Sequence, residues 1–180
     1  MTAQTTGEFL DYWLETVMRN NIRQSTYMAY RGYIENHIRK RIGGEQLIEL
    51  KVDKLQRLTS ELQTEGGGLA AKTVRSIMLM LRGALEYAVD CEYIIKNPCD
   101  KVKLPKLEEK EVTVFDQTDQ KRLGTAILQS EDRRHYGILI GLYTGLRIGE
   151  LCGLKWESID FENGTISIRA SLNRVINYDG

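Results

Sequence analysis

The residues most suited to chemistry sit together in the run Thr144-Gly145-Leu146-Arg147-Ile148-Gly149-Glu150-Leu151-Cys152-Gly153-Leu154. Arg147 opens a helix after a glycine turn, where the positive end of the helix dipole mildly disfavours a cation. A guanidinium there makes sense if it and the amides of the first turn hold an anion jointly. Glu150, one turn on, shares that face and can fix the guanidinium by a salt bridge. The same residues also fit a plainer description, a surface Arg–Glu pair after a glycine turn. Local physics alone leaves both open.

Two other stretches could bind an anion of larger size. Arg19, Arg23, Arg31, Arg39, Lys40 and Arg41 face Glu35 as the one acid among them, and Lys72, Arg75 and Arg82 have no acid between them. Arg75 and Arg82 are two helical turns apart on one stripe, while Lys72, Thr73 and Arg75 crowd a helix start whose amides also favour phosphate. Arg23, Thr26 and Arg31 can reach a nucleic-acid backbone from the helix before them. These side chains equally suit solvated helix faces, and Lys40 and Arg41 suit a helix C-terminus. The whole chain carries 25 Lys+Arg against 25 Asp+Glu, for a net charge of zero. Such a balance argues against nucleic acid, but it averages a patterned surface. Fifteen basic and thirteen acidic residues precede Pro105, and ten and twelve follow.

Metal and redox chemistry have little support. Cys91, Cys99 and Cys152 are odd in number and lack metal-ligand spacing, which suggests reduced thiols in a cytoplasmic protein. His37 and His135 are far apart, so no metal and no cofactor is expected. Hydrophobic residues make up 42% of the 180 and include nine Tyr, three Phe and two Trp, too many for a disordered chain. No stretch approaches the ~20 apolar residues of a membrane span, and Met1–Phe9 does not resemble a signal peptide.

The elements that must carry these residues are mainly helical. Thr5 and Glu8 form a capping box ahead of Phe9, Leu10, Trp13, Leu14 and Val17 at helical spacing. Asn20-Asn21 breaks that helix. Ser25 or Thr26 caps a second, with Tyr27, Tyr30, Ile34 and Ile38 on one side, ended by Gly43-Gly44. A third spans Val52–Thr64 with Val52, Leu55, Leu58 and Leu62 inward. The fourth places Val74, Ile77, Met78, Leu81, Leu85 and Ala88 on one face, and Asn97-Pro98 closes it. Four such helices make a bundle. Lys96–Val112, with both prolines and alternating charge, reads as a linker. Beyond it come an extended run Val112–Phe115 and a helix with Leu123, Ala126 and Ile127, capped by Asp116 or Thr118. Tyr136–Tyr143 is apolar on every side and predicts a buried helix. Another helix follows over Arg147–Trp156. Thr165–Ile168 and Leu172–Ile176 predict two short strands introduced by Asn163-Gly164.

Thr-Gly-Leu-Arg-x-x-Glu-Leu-x-x-Leu over Thr144–Leu154, followed by Trp156, Ile159-Asp160 and a hairpin, resembles the first box of the tyrosine recombinases, the phage-integrase family. The upstream half resembles that family's core-binding domain in its Thr26, Tyr30, Ile34, His37-Ile38 helix, its Thr73, Leu81, Ala88 helix, and Asn97-Pro98 before a basic linker. Integrases of phages and conjugative transposons are the most similar members. The resemblance covers essentially the whole chain. It implies a mainly α fold: a four-helix SAM-like core-binding domain over residues 1–104, then the N-terminal part of an α+β catalytic domain over 105–180.

Family members cut and rejoin DNA through a 3′-phosphotyrosyl intermediate without metal or nucleotide. By resemblance, Arg147 is the first active-site arginine, whose planar fork suits two phosphate oxygens, and Glu150 orients it. The second and fourth helices of the first domain face DNA in the family, which places Arg23, Thr26, Arg31, Lys72, Thr73, Arg75 and Arg82 toward double-stranded DNA. Most of these would be phosphate contacts that position without reading sequence. The family's hairpin lysine, His-x-x-Arg box and nucleophilic tyrosine have no match here. Tyr178 lacks the nucleophile's helical context, and Tyr136 and Tyr143 suit core packing. The expectation is therefore a DNA-binding portion of a mobile-element integrase, inactive and monomeric alone and oligomeric on DNA in full-length form. A stand-alone module that occupies recombination sites, or a helical protein-interaction domain, are the alternatives.

Overall fold

Thr5 starts the first helix by satisfying its free amides. Its hydroxyl accepts from the Glu8 amide at 3.3 Å, and Glu8 Oε2 accepts from the Thr5 amide at 2.9 Å, the reciprocal pair of a capping box. From there the computed structural model, which describes residues 4–108, 111 and 114–172, runs through two separately packed units, Met1–Glu109 and Lys110–Gly180.

In the first unit, α1 (Thr6–Tyr12) opens into π-helical turns over Trp13–Met18. The next helix, α2 (Gln24–Tyr33), widens in the same way over Ile34–Ile38 and tightens again as α3 (Arg39–Ile42). Then come α4 (Val52–Thr64) and the long α5 (Ala71–Asp90). The apolar periodicities become the core: Phe9, Leu10, Trp13, Tyr27, Ile34, Ile38, Leu55, Leu58 and Leu62 are buried, with Val74, Ile77, Met78, Leu81, Leu85 and Ala88 of α5. Each fully buried aliphatic or aromatic side chain contributes about 1.5–3 kcal/mol, which is what holds these short helices together. Between α4 and α5, Gly68 adopts φ 64°, and a Cβ there would stand 2.1 Å from the Gln63 carbonyl oxygen. Only glycine makes that turn without displacing backbone.

Two helix ends differ from the sequence expectation. Neither Ser25 nor Thr26 caps α2; its N-cap is Arg23, with no side-chain bond. The Thr26 and Tyr27 amides both return to the Arg23 carbonyl, at 2.9 and 3.0 Å, so Ser25 and Thr26 already lie inside the first turn. The second is α5, which ends at Asp90, well short of Asn97-Pro98. Glu92 takes the left-handed φ of 58°, and the Tyr93 amide returns to the Ala88 carbonyl at 2.9 Å, a Schellman closure built without glycine.

In the second unit, α6 (Gln117–Leu128) is capped by Asp116, whose Oδ1 accepts from the Asp119 amide at 2.7 Å. It is followed by α7 (Tyr136–Thr144) and the short α8 (Ile148–Cys152). Strand β1 (Ile159–Asp160) pairs antiparallel with β2 (Thr165–Ile166), with Ile159 opposite Ile166. The Asp160 carboxylate takes the Glu162 and Asn163 amides, each at 3.0 Å, and so folds the turn. The partner of the predicted strand Thr165–Ile168 is therefore upstream, and regular pairing stops at Ile166. Leu172–Ile176 lies outside the described residues except for Leu172, whose amide bonds the Gly149 carbonyl at 2.9 Å. Val112, Thr113 and Tyr178 also lie outside them. Val114 and Phe115 are described but form no strand.

The stretch Tyr136–Tyr143 is helical but not buried. No residue of α7 is buried, and Tyr136 and Tyr143, expected in the core, are exposed, Tyr143 to 78%. A helix apolar on every side needs neighbours on every side. Among the described residues, α7 packs against α6, α8 and the turn Arg133–His135, which cannot surround it. The predicted Arg147–Trp156 helix is likewise shorter: Arg147 caps it, Gly153 ends it, and Trp156 begins a separate turn, Trp156–Ser158.

Candidate active-site arginine and nucleic-acid interface

The geometry at Arg147 follows from how α7 stops. Thr144 turns its hydroxyl back to the Ile140 carbonyl at 2.5 Å, and Gly145 takes φ 69° as the left-handed cap. That reversal, which a β-carbon would strain, delivers Arg147 in an extended conformation to the N-cap of α8. Glu150 then grips it twice: Oε2 accepts from the Arg147 amide at 2.9 Å and Oε1 from Nη1 at 3.2 Å. The bond from the Arg147 amide is the chief reason that the Glu150 carboxyl lies below the usual carboxylate range, with the guanidinium bond second. Glu150 is thus ionised at neutral pH and acts as a fixed brace. The Arg147 side chain is 86% exposed and that of Glu150 22%, so the brace is sheltered and the fork is presented. A planar guanidinium held by one edge, with its remaining donors outward, suits an oxyanion. Arg147 and Glu150 are brought together as the sequence spacing requires.

Beside this pair, a cavity of about 100 Å³ is lined by Glu150, Leu154, Lys155, Ser167 and Arg169 among others. Trp156 and Phe161 stack nearby in sequence, with ring centroids 6.4 Å apart. Neither Lys155 nor Arg169 was singled out from the sequence, because nothing in their spacing marks them. The return of the chain to Gly149 is what places Arg169 there.

In the first unit the residues expected to face DNA differ in their surroundings. Arg23 and Lys72 stand exposed at the starts of α2 and α5. Thr26 and Thr73 are half-buried; Thr26 lines a shallow groove of about 430 Å³ with Ser25, Tyr33, Ser76 and Leu79. That groove joins α2 to α5, and sequence reasoning missed its Ser76 and Leu79 because they fall off the apolar face of α5 and off its basic stripe. Arg31 is half-buried, and its charge helps hold the Glu15 and Glu35 carboxyls low, after the hydrogen bonds of Tyr27 and Arg39 respectively. Arg75 and Arg82 meet the segment that follows the bundle. Arg75 Nη1 donates to the Pro105 carbonyl at 3.1 Å, and Arg82 Nη2 lies 2.9 Å from Asp100 Oδ1. Asn97, read from the sequence only as the close of the fourth helix, and Gln56, which had no role there, help fasten the same segment.

The comparisons with known proteins agree along the chain. Residues 5–63 match the family model "Phage integrase, N-terminal SAM-like domain", and residues 105–177 match "Phage integrase family". A "Tyrosine recombinase XerC-like" protein of Caldanaerobacter subterraneus subsp. tengcongensis is 30% identical over 178 residues, covering 95% of this chain and 44% of that relative. The "ICEBs1 integrase" of Bacillus subtilis is 33% identical over 93 residues, 52% of this chain and 25% of its own. The chain thus spans under half the length of these relatives. Among solved structures, the Tn1549 transposon integrase in complex with circular intermediate DNA superposes with a TM-score of 0.83 at 24% identity, covering 98% of this chain and 57% of that one. A lambda integrase tetramer bound to a Holliday junction gives 0.73 at 21% identity, covering 87% and 45%. Among the described residues, no helix is long and apolar enough to cross a membrane. With a SAM-like helical unit, then a catalytic-type unit whose Arg147 is braced by Glu150, the chain belongs to the phage integrase family of tyrosine recombinases.

Proposed function

We propose that this chain binds double-stranded DNA at a recombination or attachment site of a mobile element, as the DNA-holding part of a cytoplasmic site-specific recombinase. Residues 1–104 act as the core-binding domain and 105–180 as the start of the catalytic domain. Arg147, presented by Glu150, holds the scissile phosphate, and Arg23, Thr26, Arg31, Lys72, Thr73, Arg75 and Arg82 track the backbone from α2 and α5. One observation carries the reading: an arginine almost fully exposed at a helix start, where the dipole disfavours it, yet held by an ionised glutamate through one bond from its backbone amide and one from its guanidinium. Holding a cation in that orientation has a use once an anion arrives.

The relatives support the same assignment. They are named as recombinases and integrases, and the solved neighbours are described with circular intermediate and Holliday junction DNA. In the complete site, Arg147 would stabilise the charge that builds on phosphate during strand transfer. Phosphate contacts as few as these release few counterions, so binding is weak and salt-sensitive, with a slope set by their number. The test is retention of labelled duplex DNA by the purified chain at low ionic strength. Retention that weakens when Lys72, Arg75 and Arg82 are reversed to Glu supports the proposal. No retention at any salt concentration refutes it.

A further inference from the structure

The arginine that points most openly from α5 is already answered by an acid of the same unit. Arg82 and Asp100 form an ion pair at 2.9 Å with both side chains about half exposed. Asp100 stands there because the chain is folded back onto α5. Asn97 Nδ2 donates to the Arg82 carbonyl at 3.0 Å and to Glu86 Oε2 at 2.9 Å, and its Oδ1 takes the Cys99 amide at 3.0 Å. Further along, Gln56 exchanges two bonds with the Lys103 backbone, at 2.9 and 3.1 Å, and Arg75 holds the Pro105 carbonyl. Segment 97–105 is therefore strapped along α4 and α5 by four side chains, and two of them, Asn97 and Gln56, offer no cation for which a polyanion would compete.

We propose that Asp100 is an internal stand-in for a DNA phosphate at Arg82, so that this end of the strap and DNA compete for one guanidinium. The proposal rests on the DNA-binding reading above. Carboxylate and phosphate both accept the guanidinium fork. A half-exposed Arg–carboxylate pair is weakly held and screened by salt, whereas a phosphate comes with the field of the whole duplex. Arg82 passes from Asp100 to the phosphate, and Asp100 turns to solvent. The Asn97 and Gln56 attachments keep the rest of the segment in place.

The experiment is a double-mutant cycle on the full chain, read by fluorescence anisotropy with a labelled mixed-sequence duplex at low salt. Asp100→Asn should tighten binding by about 2–5-fold, the release of one exposed pair. In an Arg82→Gln background the same change should do no more than Asp90→Asn, which removes an exposed acid from the end of α5. In an Arg82→Lys background, which keeps the charge, part of the gain should return. An equal gain from Asp100→Asn with and without Arg82 overturns the proposal while leaving DNA binding intact, as does no gain in the parent chain. A parent chain that never binds the duplex overturns the DNA-binding reading and this inference with it.

Discussion

Replacing Asn97 with alanine should destabilise the first unit by about 3 kcal/mol. The side chain is buried and makes three bonds. The bond to the Arg82 carbonyl is neutral, worth about 1 kcal/mol, and the one to the Glu86 carboxylate about 1.5–3 kcal/mol. The third loss matters most. The Cys99 amide would be left in a buried turn without an acceptor, at a cost of about 1–3 kcal/mol. These do not add in full, since the turn can relax, and about 3 kcal/mol is the central expectation against a domain stability of about 5–15 kcal/mol. Urea unfolding followed by tryptophan fluorescence measures it. Trp13 is buried in the first unit, and Trp156 is exposed in the second; a Trp156→Phe background leaves Trp13 as the reporter. The midpoint should drop by about 1–2 M urea. A loss below about 1 kcal/mol would refute the reasoning, because water would then be replacing all three bonds. Asn97→Asp sharpens the test: it keeps the acceptor for Cys99 but sets a second carboxylate beside Glu86. Its deficit should shrink as pH falls and one of the two takes a proton.

Two further outcomes follow from named contacts. The Tyr27 hydroxyl is the chief cause of the lowered Glu15 carboxyl pKa, ahead of Arg19. A depressed carboxyl stabilises above its unfolded value and loses that contribution as pH falls through the folded one, so urea midpoints should decline below about pH 4 more steeply in the parent than in Tyr27→Phe. Matching profiles would show that the hydroxyl bond is not what lowers Glu15. Burial, followed by the charge of Asp100, pushes the Cys99 thiol up to about 12, while Cys152 is exposed. A disulfide reagent should therefore label Cys152 in the native protein and Cys99 only after unfolding; native-rate labelling of Cys99 would contradict its burial.

Most of the first unit was legible in the sequence. Apolar residues of α4 and α5 at helical spacing reappear as buried rows, and Thr5 and Glu8 cap α1 as written, because these features depend on neighbours within one or two turns. The ends were less legible. Arg23 starts α2 because its carbonyl is the one that takes the first helical amides, those of Thr26 and Tyr27. The left-handed residue that stops α5 is Glu92, a type with no preference for that conformation. At the candidate site, the Arg147–Glu150 spacing was enough to predict the brace, since one helical turn sets it. The strap from Asn97 to Pro105 was not readable: Gln56 and Lys103 are 47 residues apart, and nothing local joins them.

The sequence by itself determined which residues could hold an anion, where the helices lie and which of their faces turn inward. Those are properties of residue type and short-range period. Tertiary structure alone decided what each cation does before any anion arrives. Arg147 is braced yet open, Arg75 is tied to a backbone carbonyl, and Arg82 is matched to Asp100. It also decided that, among the described residues, the apolar α7 is covered only in part, because burial depends on which neighbours pack around a helix and not on the helix's own composition. Folding brings distant residues within 3 Å of one another, and at that distance charge and hydrogen bonding override what composition suggests.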